Sequence, residues 1–246
     1  MPRYDFRSPR LFIDAPLAAG ARLALDGAQA NYLRNVLRLK GGDGVLVFNG
    51  RDGEWRAALA EAGKRGAALV VGDRVRAQEG GPDLHYLFAP LKRARLDYMV
   101  EKATEMGVSR LRPVLTRRTI AERVNLERMR AHAVEAAEQC GILRIPEIDA
   151  PERLDRALAA WDGARPLVFC DEAGEETCPF TALARIAPGP VAVLVGPEGG
   201  FDAAERELLS AQPFVTRISL GPRILRADTA AVAALALVNA VLGDWR

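Results

Sequence analysis

After residue 83 the chain alternates between short apolar runs and segments of helical period. Runs at 84–89, 109–115, 166–171, 191–196 and 214–220 read as strands. Segments at 93–106, 125–140, 151–161, 178–187, 202–211 and 227–242 read as helices. A strand as uniformly apolar as VAVLV (191–195) must be covered on both faces. Helices inserted between successive strands supply that cover, so the pattern predicts an α/β domain built on a parallel sheet. Open parallel sheets take ligands beyond the C-terminal ends of their strands. Chemistry is therefore expected in the segments that follow each strand.

Before QEGGPD (78–83) the pattern is different. Short runs such as RLFID (10–14), ARLALDG (21–27), GVLVFNG (44–50), GEWRAAL (53–59) and AALVVGDRV (67–75) are separated by Gly-rich turns, among them GGDG (41–44), NGRDG (49–53) and GKRG (63–66). Strands at that spacing predict a small β-barrel. GAQANYLRNVLRLK (27–40) reads as one helix with a basic face. The expected division is a barrel over 1–76 and an α/β domain over 77–246. Residues 1–80 carry 13 Lys and Arg against 9 Asp and Glu, whereas the whole chain carries 34 against 32. A basic front on a near-neutral remainder points to a polyanionic partner, with chance asymmetry of a solvated surface as the alternative. The candidate anion contacts are Arg7, Arg10, Arg34, Arg38 and Lys40, joined by Lys92, Arg93 and Arg95 at the start of the second domain.

Some classes are disfavoured. Hydrophobic residues make up 49% and charged residues 27% of the chain, a globular mixture. Three cysteines, Cys140, Cys170 and Cys178, are too scattered for a disulfide framework. Two histidines, His85 and His132, make a zinc site unexpected, and no metal is expected. No apolar run reaches the roughly 18 uninterrupted residues of a membrane span, and MPRYDFRSPRLF lacks a secretory apolar core. A cytoplasmic protein without membrane partners is expected. Neither a dinucleotide nor a P-loop glycine fingerprint is present.

Two of the post-strand segments stand out. In VAVLVGPEGGFDAAE (191–205) a strand runs into a glycine-rich loop, and Asp202 with Glu205 forms a capping-box start for the next helix. In SLGPRILRADTAAV (219–232) a strand ends in Gly-Pro, and Arg223, Arg226 and Asp228 precede a helix that is apolar nearly all round. That helix is expected to be buried on all sides, in part by a second subunit. A cation at a helix start opposes the dipole, so Arg226 is placed poorly for stability and suggestively for function. Asp228 suits the first turn of the helix as a simple capping acid.

These segments in this order, with NYLRNVLRLKGGD, KRARLDYMVEKATEMGV (92–108) and EAAEQCG (135–141), resemble the SPOUT class of methyltransferases. More narrowly the chain resembles the ribosomal RNA small subunit methyltransferase E family, over its whole length. The resemblance implies a PUA-like barrel followed by a SPOUT domain with a trefoil knot, a rare feature in proteins. It implies S-adenosyl-L-methionine as cofactor, N3-methylation of a uridine of 16S rRNA on the assembled small subunit, and a homodimer formed through the C-terminal domain. Carried over residue by residue, it assigns the cofactor to Gly196, Pro197, Glu198, Gly199 and Gly200, and to Leu220, Gly221, Ile224, Leu225 and Arg226. The strand end Phe169-Cys170-Asp171 is a further neighbour.

The catalytic candidates are Arg226 and Asp228. Arginine stays protonated, so Arg226 suits stabilisation of negative charge on the uracil. Asp228 is left with two roles, base or orienting and capping acid. The sequence departs from the family pattern twice: Asp228 stands where Glu is usual, and Ile142 follows Gly141 where an arginine is common, Arg144 being the next. A SPOUT enzyme acting on another RNA site, or an RNA-binding module without catalysis, are the alternative readings.

Overall fold

The computed structural model describes residues 7–62, 66–120, 123–172 and 178–245. Apart from Gly66, the turn signal at 63–66 lies outside them, as does the N-terminal stretch 1–6. The chain forms two compact units, Met1–Gly80 with Ala137–Arg144, and Gly81–Ala136 with Ile145–Arg246.

The first unit contains β1 (Arg10–Phe12), β2 (Arg22–Ala24), α1 (Gly27–Asn31), β3 (Gly44–Phe48), β4 (Glu54–Ala62) and β5 (Gly66–Arg76). Its strands form one sheet in the order β1-β3-β4-β5-β2, antiparallel except for the β1–β3 pair. Leu11, Leu23, Val45, Val47, Leu59, Leu69 and Val71 project to one side and close a single core with Leu33. The turn after β3 is held by side chains: Asn49 Nδ2 donates to Asp52 Oδ2 at 2.6 Å, and Leu17 N donates to the same oxygen at 2.9 Å. That backbone donor, foremost, holds the Asp52 carboxyl below its usual range.

The helix expected over 27–40 is shorter and changes form. Asp26 and Gln29 make a capping box, α1 ends at Asn31, and a π-helical turn carries the chain from Tyr32 to Val36. Arg38 then adopts φ +58. In a regular α-helix Leu33 and Leu39 would face well apart. The break lets Leu37 and Leu39 both pack against the core that buries Leu33.

The second unit contains β6 (Leu84–Phe88), α2 (Arg93–Glu105), β7 (Arg110–Leu115), α3 (Leu126–Cys140, whose last residues belong to the first unit), β8 (Glu147–Ile148), β9 (Glu152–Arg153), α4 (Leu154–Ala159), β10 (Leu167–Cys170), α5 (Pro179–Leu183), β11 (Val191–Val195), α6 (Ala203–Ser210), β12 (Val215–Ile218) and α7 (Ala227–Val241). The sheet order is β12-β10-β11-β6-β7-β8, with β9 also on β7, and every pairing is parallel. The chain runs outward from β6 to β8, crosses to β10, and then inserts β11 between β10 and β6.

Alternate residues of these strands feed two cores, as the strand period requires. Tyr86, Phe88, Val168, Val193 and Val195 pack with α2 and α7. Leu87, Phe169, Ala192 and Leu194 pack with α4, Phe201 and Leu209. Helix α7 buries one stripe, Ala227, Ala230, Ala231, Ala234, Leu235, Val238 and Asn239. Within this chain Val232, Ala233, Ala236 and Leu237 are only half-buried and Ala240 is exposed, so the single chain does not by itself supply the burial all round that was expected with a second subunit. Among the described residues no helix is long and apolar enough to cross a membrane.

Candidate active site

Five parallel strands end on the same edge of the second unit, and each is followed by a distinctive segment. After β6 comes PLKRAR, after β7 TRRT, after β10 Asp171-Glu172, after β11 GPEGG and after β12 SLGPRILR. The GPEGG loop turns tightly, with Gly200 N donating to Pro197 O at 2.9 Å and Gly200 at φ +66. Its first glycine is required by packing, because a Cβ on Gly196 would meet the Phe201 ring at 2.6 Å. Asp202 and Glu205 form the expected capping box at the start of α6. The post-β7 loop adds to it: Arg117 N donates to Glu205 Oε1 at 2.7 Å, and the Arg117 guanidinium lies 3.0 Å from Asp202 Oδ2. The Glu205 amide, foremost, and Arg117 hold the Asp202 carboxyl below its usual range.

Between the segments that follow β10, β11 and β12 lies an open cleft. Its apolar lining comes from Val195, Pro197, Leu220, Leu225, Ala227 and Ala230, and its polar lining from Asp171, Glu172 and Arg223; Cys170 completes the strand-end wall with Gly196 and Gly221. Burial pushes the Cys170 thiol up to about 12, so it is an inert wall rather than a nucleophile. Asp171 is wholly enclosed and is held by Arg206 Nε at 3.1 Å and an Arg217 nitrogen at 2.6 Å.

The sequence-derived candidates divide. Gly196, Pro197, Leu220, Gly221 and Leu225 line the cleft. Phe169 does not: it is fully buried edge-on against Phe201, with ring centroids 5.0 Å apart, on the opposite face of the sheet from Cys170. Glu198, Gly199 and Gly200 belong to the loop without lining the cleft. Glu198 lies 3.5 Å from Arg95, and the Gly199 carbonyl accepts from Arg118 at 2.7 Å. Ile224 is 89% exposed. Arg226 is the exposed N-cap residue of α7 and makes no side-chain cap. Asp228 sits in the first turn, where its Oδ1 accepts from Thr229 N at 2.9 Å.

Lys92, Arg93 and Arg95 rise from the same edge as the GPEGG loop, and Arg93 starts α2 with φ +20. In the first unit Arg7, Arg34, Arg38 and Lys40 are exposed. Arg10 is not: its side chain is 8% accessible, pairs with Glu54 at 2.7 Å, donates to the Ala137 and Glu138 carbonyls and lies over the Phe48 ring. It is a structural residue, and the expectation of an anion contact there is corrected. Arg144, the arginine nearest the position left by Ile142, donates to the Gly80 carbonyl at 2.7 Å.

Cys170 and Asp171, named with the strand end from sequence, do line the cleft, and Glu172 and Arg223 line it beyond the candidates proposed from sequence, with Arg118 on the neighbouring loop. Each directly follows a strand or lies within a few residues of its end, which is the signal that finds them. Glu101, His132 and Glu135 bring three ligand-type atoms within 4.8 Å. His132 lies 2.7 Å from Glu101 and 3.3 Å from Asp97, which in turn pairs with Arg128 at 2.7 Å. Hydrogen bonds and ion pairs thus link Glu101, His132, Asp97 and Arg128.

Comparison with known proteins agrees with this geometry. The RNA methyltransferase domain family matches residues 79–239, and the RNA methyltransferase PUA domain family matches residues 25–72. A ribosomal RNA small subunit methyltransferase E of Rickettsia conorii is 31% identical over 232 residues, covering 94% of each chain. The fold matches that of a Neisseria gonorrhoeae ribosomal RNA small subunit methyltransferase E solved bound to S-adenosyl methionine, with TM-score 0.87, 23% identity, and coverage of 98% of this chain and 100% of that one. A Legionella pneumophila protein solved in complex with the cofactor SAM aligns at TM-score 0.83 and 28% identity, over 95% of this chain and 98% of its own. With its PUA domain in front and its parallel-sheet domain behind, the chain belongs to the ribosomal RNA small subunit methyltransferase E family.

Proposed function

We propose that this protein transfers the methyl group of S-adenosyl-L-methionine to N3 of one uridine in 16S rRNA, on the small ribosomal subunit. The observation that carries the reading is the cleft at the C-terminal edge of β10, β11 and β12, apolar within and charged at its rim. Its residues suit the cofactor. Val195, Leu220, Leu225 and Ala230 offer an apolar surface for adenine, Arg223 a partner for the methionyl carboxylate, and the bare Gly221, with open space where a Cβ would be, lets backbone approach. The bound cofactor would supply an electrophilic methyl group on a sulfonium.

The residues around the cleft then have separate tasks. Displacement at the methyl carbon requires donor and acceptor in line and water excluded. A uridine N3 becomes a nucleophile as its proton leaves, and negative charge spreads over the uracil oxygens. Arg226, exposed at the α7 start, is the cation proposed to stabilise that charge. Asp228 holds the first turn of α7 and so the orientation of its N-cap residue. Lys92, Arg93 and Arg95 on the same edge, and Arg7, Arg34, Arg38 and Lys40 on the first unit, are proposed phosphate contacts. The half-buried apolar face of α7 is the proposed homodimer seam. The insertion of β11 between β10 and β6 supports the trefoil knot that the family resemblance implies.

The test is transfer of label from S-adenosyl-L-methionine to protein-free 16S rRNA and to small-subunit particles, followed by mapping of the modified base. Label at N3 of a single uridine, stronger on the particle, is expected. Label on another base or another RNA overturns the assignment.

A further inference from the structure

Among the described residues two adjacent acids line the cleft, and they are used differently. Asp171 is fully buried, and both of its oxygens face arginines, Arg206 from α6 and Arg217 from β12. It is enclosed as a structural anchor. Glu172, the next residue, is 43% exposed and lines the cleft. Its Oε1 accepts from Arg206 Nη2 at 2.6 Å, so one guanidinium grips Asp171 with Nε and Glu172 with a terminal nitrogen. The loop after β11 is bare where Glu172 lies. Gly200 takes φ +66, and a Cβ there would collide with the Glu172 carboxylate. A fixed anion, steadied from behind by a buried ion pair and set at the mouth of an apolar cleft, is an acceptor prepared for donors on a ligand.

The choice of donor follows from the charges lining the cleft. Its lining cation is Arg223, from the loop after β12, whereas Glu172 follows β10. A methionyl carboxylate belongs with Arg223, and the ammonium on the same carbon goes with it. The remaining donors of the cofactor are the adenine amino group, which goes with the base to the apolar lining, and the two vicinal ribose hydroxyls, whose paired O–H groups match the two oxygens of a carboxylate. We propose that Glu172, positioned by Arg206, accepts hydrogen bonds from the ribose hydroxyls of the bound cofactor. This rests on the methyltransferase reading. It adds a residue that the family resemblance does not assign.

Calorimetric titration tests it with three probes: S-adenosylhomocysteine, 5′-methylthioadenosine, which keeps the ribose but lacks the amino-acid end, and 5′-methylthio-2′-deoxyadenosine. Glu172→Ala is expected to weaken S-adenosylhomocysteine and methylthioadenosine alike, by roughly 10- to 100-fold, the usual range for hydrogen bonds to a charged group. The deoxy probe should bind wild type weakly and lose little more in the variant. Glu172→Gln should fall between, and the thermal midpoint of each variant checks that folding is intact. Wild type that fails to bind S-adenosylhomocysteine at all would remove the methyltransferase reading itself. If wild type binds and Glu172→Ala binds all three probes equally well, Glu172 has no such role. Loss confined to S-adenosylhomocysteine, with methylthioadenosine unaffected, would place Glu172 at the amino-acid end and overturn the proposal.

Discussion

The two edges of the parallel sheet are both rich in arginine, yet they are built for opposite purposes. At the N-terminal edge Arg165 makes three contacts to Asp83, at 2.8, 3.1 and 3.2 Å, the longest to its backbone carbonyl. Arg110 and Arg112 share Asp149 at 2.9 and 3.2 Å, and Arg112 also lies over the Trp161 ring. Cation and acid are matched there and hold strand starts together. At the C-terminal edge matched pairs also occur, in the wall with Asp171, Arg206 and Arg217 and on the loops with Arg95–Glu198 and Arg117–Asp202, but they do not take up all of the charge. Lys92, Arg93 and Arg226 stand exposed around glycine loops. Charge neutralised within the fold supports stability, while charge presented at an open edge is available to a ligand. Substitutions at the two edges should therefore separate function from stability.

The largest effect is expected from Arg226→Ala. Losing a donor that stabilises developing charge costs about 2.7–4 kcal/mol of barrier, or roughly 10²–10³ in kcat. Affinity for S-adenosylhomocysteine and the thermal midpoint should stay near wild type, because the side chain neither lines the cleft nor caps α7. Near-normal turnover would remove Arg226 from the mechanism and with it the functional half of the contrast.

The same contrast explains how far the sequence alone could be read. Strand ends, the Asp202 capping box and the two loops depend on neighbours within a few residues, and the structure has them as expected. Arg10 was misread because its partners are 44 and 127 residues away; no local pattern distinguishes a buried ion pair from a phosphate contact. Phe169 was misread by one strand position, which turns a side chain to the other face of a sheet. The helix over 27–40 carried a helical apolar pattern, but the demand that Leu39 also reach the core breaks it. Glu172 went unassigned because its meaning depends on Arg206 and Gly200, which only the fold brings beside it.

Arg165→Ala tests the opposite edge. It removes two charge-assisted bonds to Asp83, and hydrogen bonds to charged groups are worth about 1.5–3 kcal/mol. Unfolding in urea should lose an amount in that range, while kcat for methyl transfer stays within a factor of about two, since the strand starts lie at the far end from the cleft. A collapse of turnover in a folded Arg165→Ala protein would show that the edges are not independent.

A comparable effect comes from pH. His85 in β6 has a side chain 13% exposed, and burial together with Arg165 pulls its pKa from 6.5 down to about 4. The folded state keeps the ring neutral where the unfolded state takes up a proton. The stabilising contribution is therefore complete above about pH 6.5 and is lost as pH falls towards 4. The fall from 6.5 to about 4, at about 1.4 kcal/mol per pH unit, makes the loss roughly 2–3 kcal/mol by pH 4.5. In urea titrations at pH 7 and pH 4.5, His85→Gln should lose less stability than wild type on acidification. An identical acid dependence in both proteins would mean that the matched N-terminal edge tolerates a charged His85.

The least effect is expected from Asp228→Asn, and it bears on the point where the two purposes meet. Asp228 lies on the functional edge but has a stabilising environment. It sits in the first turn of α7, where an acid favours the dipole by about 0.3–1 kcal/mol. Its Oδ1 already accepts from Thr229 N at 2.9 Å, and it does not line the cleft. The amide keeps that acceptor and loses only the charge. Stability should fall by no more than the dipole contribution, with kcat changed less than roughly fivefold. A hundredfold loss of kcat at unchanged stability, with Asp228→Glu active, would instead make Asp228 the proton acceptor. The carboxylate would then belong with Arg226 among the groups turned toward the RNA, and the structural role of the first turn of α7 would be secondary.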